Sequence, residues 1–395
     1  MDSRYQEDAQ QILCDLIGFE SISSNSNLDI VNYIEIYLSS HGVVSERVYS
    51  VDGTKASILA TIGDASKPGV VLSAHTDVVP VAGQPWTSPP FTGTVKDGRI
   101  VGRGATDMKG FIAVVLAHVP EFVASSAGTP IHIALSYDEE VGCKGAPDLV
   151  RAVAALPALP ALAIIGEPTG LKVARAHKGK TARRVTVTGR TGHSALPHLA
   201  ANAVEAAAAI VHGLGQLARG LEAGAAGASF DPPWSTLHVG SLHGGGALNL
   251  VPDHAVLEFE LRHMPGEDVA ALLARADSLV AAERTRLRER APEADIIVEE
   301  LSAYPALDCP GSSPALSATA RLAGHNGDPV TLSFGTEAGL YAAAGIPSVV
   351  CGPGDIARAH KADEWIAVDE LTAASRMMTR LAEAIRRPTK EWMRP

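Results

Sequence analysis

Six acidic and histidine residues stand at or near the ends of apolar runs in this chain: His75, Asp107, Glu139, Glu140, Glu167 and His360. His75 closes the run VVLSAH, Glu139 and Glu140 close IHIALSYDEE, and Glu167 closes ALAIIGE. Ending a buried strand in a carboxylate or imidazole is costly unless something binds there. Several such ends pointing the same way are how open α/β sheets build a site at their carboxyl edge. Imidazole and carboxylate together are the donor set for a pair of divalent metal ions.

Each residue also has an ordinary reading, and it is their joint occurrence that points to a metal site. His75 alone is a common strand-end histidine. Asp77, two residues on, lies on the same side of an extended chain and can take the second imidazole N–H, fixing the ring. Asp107 sits between GRGAT and a helical stretch, where Asp often serves as an N-cap. Glu139 and Glu140 repel each other unless exposed or compensated; if one ligates a metal, the other is left as a base. Glu167 is held extended by Pro168 or belongs to a Glu-Pro turn. His360 follows the glycine-rich GPGD and reads equally as a loop histidine. Cys143, close behind the Glu pair, is expected to be a small packed side chain rather than a soft ligand.

The elements that must position these residues occupy a chain of 395 residues, enough for one large domain or two ordinary ones. A hydrophobic fraction of 46% supports a sizeable core, and a net charge of −11 argues against nucleic acid or an anionic membrane as partner. Cys14, Cys143, Cys309 and Cys351 are far apart and form no C-x-x-C pair, which fits reduced thiols. The start MDSRYQEDAQ lacks the features of a signal peptide, and no apolar run approaches the length of a membrane span. A cytoplasmic location is therefore expected.

Residues 4–19 and 28–40 read as helices, the second with Asn27 as N-cap and Gly42 as stop. Strand-like runs follow at 56–62 and 69–75, then a Gly/Pro-rich segment at 79–105 that reads as a long ordered loop. A helix at 108–124 and strands at 130–137 and 161–166 complete a βαβ layout with a mostly parallel sheet. From residue 181 the pattern changes. An alternating strand, a helix at 199–217, a small-residue loop at 219–229, strands at 235–242 and 254–263, a helix at 267–290 and a strand at 295–302 give the β-α-β-β-α-β order of a ferredoxin-like unit. After residue 304 come short apolar runs, including 346–352, and a helix at 369–387. The expected organisation is an α/β domain formed by 1–180 and 304–395, with an α+β domain at 181–303 inserted into it.

The stretches SAHTDVVPVAGQPWTSPPFTGTVKDGRIVGRGATDMKG, SYDEEVGC, IIGEPTG, TGHSALPH, GGGALNLVP, SFGTEAGLY and GPGDIARAHKADE occur in this order from about residue 70 to 366. Together they resemble the M20 family of dinuclear zinc amidohydrolases and peptidases, and look most like its acetylornithine deacetylase branch. The resemblance implies a zinc-peptidase catalytic domain with an inserted dimerisation, or lid, domain. It implies two zinc ions per subunit, with cobalt or manganese as alternatives. Asp107 would bridge both ions, His75 and Glu167 would complete one site, and Glu140 and His360 the other. Glu139 would be the general base, Asp77 would orient His75, and the Asp107–Met108 peptide would be cis. His193 in TGHSALP would reach the active site of the other subunit of a homodimer.

The implied substrate is a small N-acyl amino acid. Its carboxylate suits Arg262, with Asn249 as a polar partner and Lys178 as another cation. Glu337 is placed to pair a side-chain ammonium, or else is an acid in a first helical turn. The leading expectation is hydrolysis of N2-acetyl-L-ornithine to L-ornithine and acetate, in arginine biosynthesis. The alternatives are succinyl-diaminopimelate desuccinylation, a glutamate-releasing carboxypeptidase and a broad N-acyl-amino-acid deacylase. A catalytically silent, metal-stabilised binding protein is the reading from another class. It predicts loss of the base or a ligand, and every one of those positions is intact.

Overall fold

The computed structural model describes residues 2–224 and 229–394. The chain forms two compact units. The larger runs through Ala176 and takes in Leu307–Thr331 and Thr336 onward; the smaller holds His177–Ala306 and Leu332–Gly335.

The larger unit is built on a mixed sheet whose four central strands run parallel, in the order Ile131–Ser136, Val70–His75, Leu162–Pro168 and Ser348–Gly352. Every residue of these four strands is buried. This is why their sequences read as continuous apolar runs rather than alternations. Ala56–Ile62 pairs antiparallel with Ile131–Ser136, and Ser45–Tyr49 extends the sheet beyond it. Helices cover the sheet, among them Lys109–Ala117, buried along its whole length, which packs against Asp2–Ile17 and Val368–Ala384. The parallel pair closest to Glu167 relies on glycine, because a Cβ on Gly352 would collide with the Gly166 carbonyl.

Several local expectations are corrected. The helix expected at 108–124 is two helices, Lys109–Ala117 and Val119–Ser125, broken at His118 because Pro120 has no N–H to continue the first. Asn27 precedes the Leu28–Ser40 helix, but its side chain does not cap it. It brackets the backbone of Ala56 instead, accepting from its N–H at 3.0 Å and donating to its carbonyl at 2.8 Å, and also donates to Thr76 Oγ1. The segment 79–105 contains short strands at Thr94–Lys96 and Arg99–Val101, which form a small sheet with Trp365–Ala367.

The smaller unit carries a four-stranded antiparallel sheet in the order Thr236–Gly244, His254–His263, Gly179–Thr188, Asp295–Tyr304. With helices Ala203–Ala223 and Val269–Arg290 this is the β-α-β-β-α-β arrangement. Strand His254–His263 alternates buried and half-exposed residues, as a sheet with one covered face requires. Its core joins Val185, Val187, Leu257 and Phe259 to Ile210 and Leu214 of one helix and Val280 of the other. Asn202 caps the first helix through the N–H groups of Val204 and Glu205, so that helix starts later than expected and runs on through residue 223. Residues 225–228 of the expected small-residue loop at 219–229 lie outside the described residues.

Candidate metal centre

The carboxyl ends of the four parallel strands converge on one site. His75 is the last residue of its strand, and Glu167 is the next-to-last residue of its own. Glu139 and Glu140 follow Ile131–Ser136 through a tight turn in which Asp138 takes a left-handed φ of 56°. His360 follows Ser348–Gly352 by a loop and is also left-handed, at φ 61°. Asp107 comes from the loop before Lys109–Ala117. It is not the N-cap of that helix, a position held by Met108. The Asp107–Met108 peptide is cis, as expected.

Asp107 stands between the two imidazoles. Its Oδ1 is 3.1 Å from His75 Nε2 and its Oδ2 is 3.2 Å from His360 Nε2. His360 Nε2 is also 3.0 Å from Glu140 Oε2, and His75 Nε2 is 3.9 Å from Glu167 Oε1. Donor atoms of His75, Glu139 and Glu167 lie within 4.8 Å of one another, and so do those of His75, Asp107 and Glu140. The structure thus brings all six residues together around one carboxylate.

Their electrostatics show what the cluster lacks. Burial pushes the Glu139 carboxyl up to about 8, helped by Glu140 and opposed by His75. Burial and the Asp107 charge push Glu140 up to about 7. Glu167 is driven well above the carboxylate range by burial and by Asp107 and Glu139. The imidazoles respond in kind: His75 is raised despite its burial by Asp107 and Asp77, and His360 is raised to about 10 by Asp107 and Glu140. Asp107, although burial opposes it, is held low by the two histidines. Buried carboxylates in excess of cationic partners are what divalent ions would neutralise, and a nitrogen and oxygen donor set without thiolate suits zinc, cobalt or manganese. Cys143 is buried, with its thiol pushed up by burial and by Glu139, and it donates to Glu139 Oε1 at 3.4 Å. It packs against the cluster as a thiol.

Asp77 meets His75 with its main chain as well as its carboxylate. His75 Nδ1 is 2.9 Å from the Asp77 backbone carbonyl, while the carboxylate stands off at 3.6 Å. That carboxylate instead accepts the N–H of Glu139 at 3.1 Å, the N–H of Glu140 at 3.3 Å and the Ser23 hydroxyl at 2.7 Å. The imidazole is thus held most closely by the main chain of this residue, with the carboxylate adding its charge. Two further residues of the centre were missed in the sequence, Arg103 and Glu364. Their signal was a charged side chain embedded in the otherwise small-residue stretch GRGATD and in HKADEW.

Glu337 immediately precedes the helix Ala338–Ala343, but its side chain is 1% exposed. It accepts hydrogen bonds from the Ser136 hydroxyl and, at 3.2 Å, from Ser73, whose hydroxyl also bonds Tyr341. Its carboxylate is thus engaged by hydroxyls from two strands of the sheet. In the smaller unit, the buried Lys178 ammonium donates to the carbonyls of Pro232 and Trp234, at 2.9 and 2.6 Å, and so holds a turn rather than a carboxylate. Arg262 Nε donates to Glu260 at 2.7 Å. Asn249 lies exposed in the loop before the short strand Leu250–Val251, which pairs with Gly192–His193. His193 is exposed, and its Nδ1 accepts the Ala195 N–H at 3.0 Å, so a neutral ring carries its proton on Nε2.

Known proteins share this fold and sequence. The chain is 17% identical, with a TM-score of 0.78, to an M20 family metallo-carboxypeptidase from Sulfolobus solfataricus, over 96% of this chain and 99% of that one. A dinuclear metal binding peptidase of the M20 family from Bacillus subtilis superposes with a TM-score of 0.64 at 16% identity, covering 96% of this chain and 98% of that one. In sequence, the acetylornithine deacetylase of Edwardsiella ictaluri (strain 93-146) is 32% identical over 93% of this chain and 94% of its own length. That of Proteus mirabilis (strain HI4320) is 32% identical with the same coverage. The description of peptidase family M20/M25/M40 matches residues 71–384, a span that contains all six clustered residues. A hydrolase of peptidase family M20/M25/M40 is thus what this chain is, by sequence and by fold.

Proposed function

We propose that this hydrolase is a dinuclear metal-dependent amidohydrolase that cleaves N2-acetyl-L-ornithine to L-ornithine and acetate, in the cytoplasm and as a step of arginine biosynthesis. The observation that carries the metal reading is Asp107, whose two carboxylate oxygens each meet a different imidazole, at 3.1 and 3.2 Å. Asp107 would be shared, His75 and Glu167 would complete one site, and Glu140 and His360 the other. When bound, two divalent ions supply positive charge that acidifies water and polarises an amide carbonyl. Zinc is the expected ion.

Glu139 is the base. It borders the cluster, ligates nothing in this assignment, and burial raises its carboxyl above the usual carboxylate range, the direction that favours proton uptake. It takes one proton from the attacking water and delivers it to the departing amine nitrogen, so the acyl carbon gains an oxygen as the C–N bond breaks. Asp77 holds the backbone of Glu139 and keeps the carboxylate aimed. We also propose a homodimer in which His193 serves the site of the neighbouring copy as an oxyanion donor, a role its Nε2–H tautomer suits. Arg262 and Asn249 are assigned to the substrate carboxylate.

Support for the acetylornithine substrate comes from relatives of that name, which are 32% identical over nearly the whole chain. The test is a kinetic panel of N-acetyl, N-succinyl and N-formyl amino acids with zinc-loaded protein, before and after chelation. The highest kcat/KM is expected on acetylornithine, with activity lost to chelator and restored by zinc or cobalt. Preference for a succinyl substrate would replace the assignment, and activity indifferent to chelator would remove the metal reading.

A further inference from the structure

We infer that the buried Arg103–Glu364 couple is a positioning device that sets the spacing between Asp107 and His360, and thereby the geometry of the His360 side of the centre. This rests on the reading that those two residues hold metal. Glu364 Oε1 accepts the N–H groups of Thr106 and Asp107, at 2.9 and 3.1 Å, so it grips the backbone of Asp107 itself. Its Oε2 accepts from Arg103 Nη1 at 2.6 Å. Arg103 Nη2 donates to Gln84 Oε1 at 2.5 Å, and Gln84 Nε2 donates to the His360 carbonyl at 3.0 Å. Arg103 Nη1 also reaches the Lys361 carbonyl at 3.4 Å. One continuous chain of hydrogen bonds therefore joins the main chain of Asp107 to that of His360.

Two observations argue that the device is kept for position rather than stability. Arg103 and Glu364 are each only 1% exposed, and Arg103 Nε is buried with no hydrogen-bond partner. A buried ion pair with an unsatisfied donor is a poor stabiliser next to an apolar replacement. The segment it holds is also strained: His360 and Asp363 are both left-handed, at φ 61° and 54°. Such residues persist only where surrounding contacts over-determine them. Asp363 adds a second tie, accepting from the Thr87 N–H at 2.9 Å and the Thr87 hydroxyl at 3.0 Å. Trp86 donates its indole N–H to Gln84 Oε1 at 3.0 Å and lies 5.1 Å from the Arg103 guanidinium, which fixes Gln84 in turn.

The experiment is calorimetric zinc titration of metal-stripped wild type, Glu364→Gln, Gln84→Ala and His360→Ala, with melting temperatures of the metal-free proteins alongside. Gln84→Ala guards against a folding failure, since it leaves the Glu364 grip on Asp107 intact. Wild type is expected to take up two ions. In Glu364→Gln, which frees the shared Asp107, both ions should loosen; in Gln84→Ala one ion should loosen, by roughly 10- to 100-fold as for other groups that orient metal ligands, while the other keeps its affinity. The same ion should be the one His360→Ala loses, and metal-free Gln84→Ala should melt like wild type. Wild-type affinity for both ions in both variants would overturn the inference. So would equal loosening of both ions in Gln84→Ala together with a lower metal-free melting temperature, the mark of a merely structural role. Wild-type protein that binds no zinc would overturn the reading of the centre beneath it, and that failure shows before any variant is measured.

Discussion

His75 and His360 meet opposite oxygens of the same carboxylate at nearly the same distance, yet they are held there by different means. The His75 side chain is 1% exposed and ends a strand buried on both faces, its Nδ1 tied to its own chain two residues on. The His360 side chain is 51% exposed and sits on a left-handed loop residue, kept in place by hydrogen bonds to distant side chains. One half of the centre is thus a product of the hydrophobic core, the other of a polar strap laid over it. The core half is expected to be rigid and costly to disturb, the strapped half adjustable.

Glu139 lies beside the His75 half, and its loss should have the largest effect. Glu139→Gln is expected to lower kcat roughly 100- to 10,000-fold, the usual worth of a general base, with zinc stoichiometry unchanged. Near-native kcat would exclude it as the base. The next test separates the halves. His75→Ala strands a buried Asp107, and removing one partner of a buried pair costs about 3–5 kcal/mol, so the metal-free protein should melt markedly lower. His360→Ala removes a half-exposed partner of the same Asp107 and of Glu140, so it should loosen one ion and lower the metal-free melting temperature less than His75→Ala does. Equal melting shifts in the two variants would break the comparison.

A smaller effect is expected with pH. In the metal-free fold Glu139 and Glu140 titrate at about 8 and 7 against an ordinary 4.5, and His360 at about 10 against 6.5. Raised values mean that the native state binds more protons than the unfolded chain. For the two glutamates this holds from about pH 4.5 up to 7 and 8, and for His360 from about 6.5 up to 10. The metal-free melting temperature should therefore fall as pH rises from 5 to 8. Saturating zinc, which binds the deprotonated ligands, should reverse that slope. A flat profile without metal would mean that the carboxylates are better compensated than their geometry indicates. The smallest contrast concerns Glu337→Gln: since that side chain is buried among hydroxyls, kcat/KM should change by the same factor on acetylornithine and acetylmethionine. A loss confined to acetylornithine would restore the ammonium-reading role.

The parts that were legible in the sequence share a physical cause. The four central strands read as apolar runs because both their faces are buried, and residues that could ligate stood out because they interrupt such runs. Ser45–Tyr49, at the sheet edge with only half-exposed and exposed residues, left no such trace. The alternation of His254–His263 was visible because one face of its sheet is covered. What could not be read is long-range and polar. Arg103 and Glu364 are 261 positions apart, so no local spacing links them. Two partners of the Asp77 carboxylate are main-chain N–H groups, which every residue type but proline offers. Glu337 was recognisable at a helix start, but the serines that enclose it come from two strands remote in sequence.

The Asp77 carboxylate grips two consecutive peptide groups, those of Glu139 and Glu140, one with each oxygen. Proton shuttle and cation holder thus hang from a single hook, and neither can be moved along the chain without dragging its neighbour. Any shortening or neutralisation of that hook should disturb turnover and ion retention in step. Improving one of those properties by substitution alone would then require rebuilding the turn from Tyr137 onward.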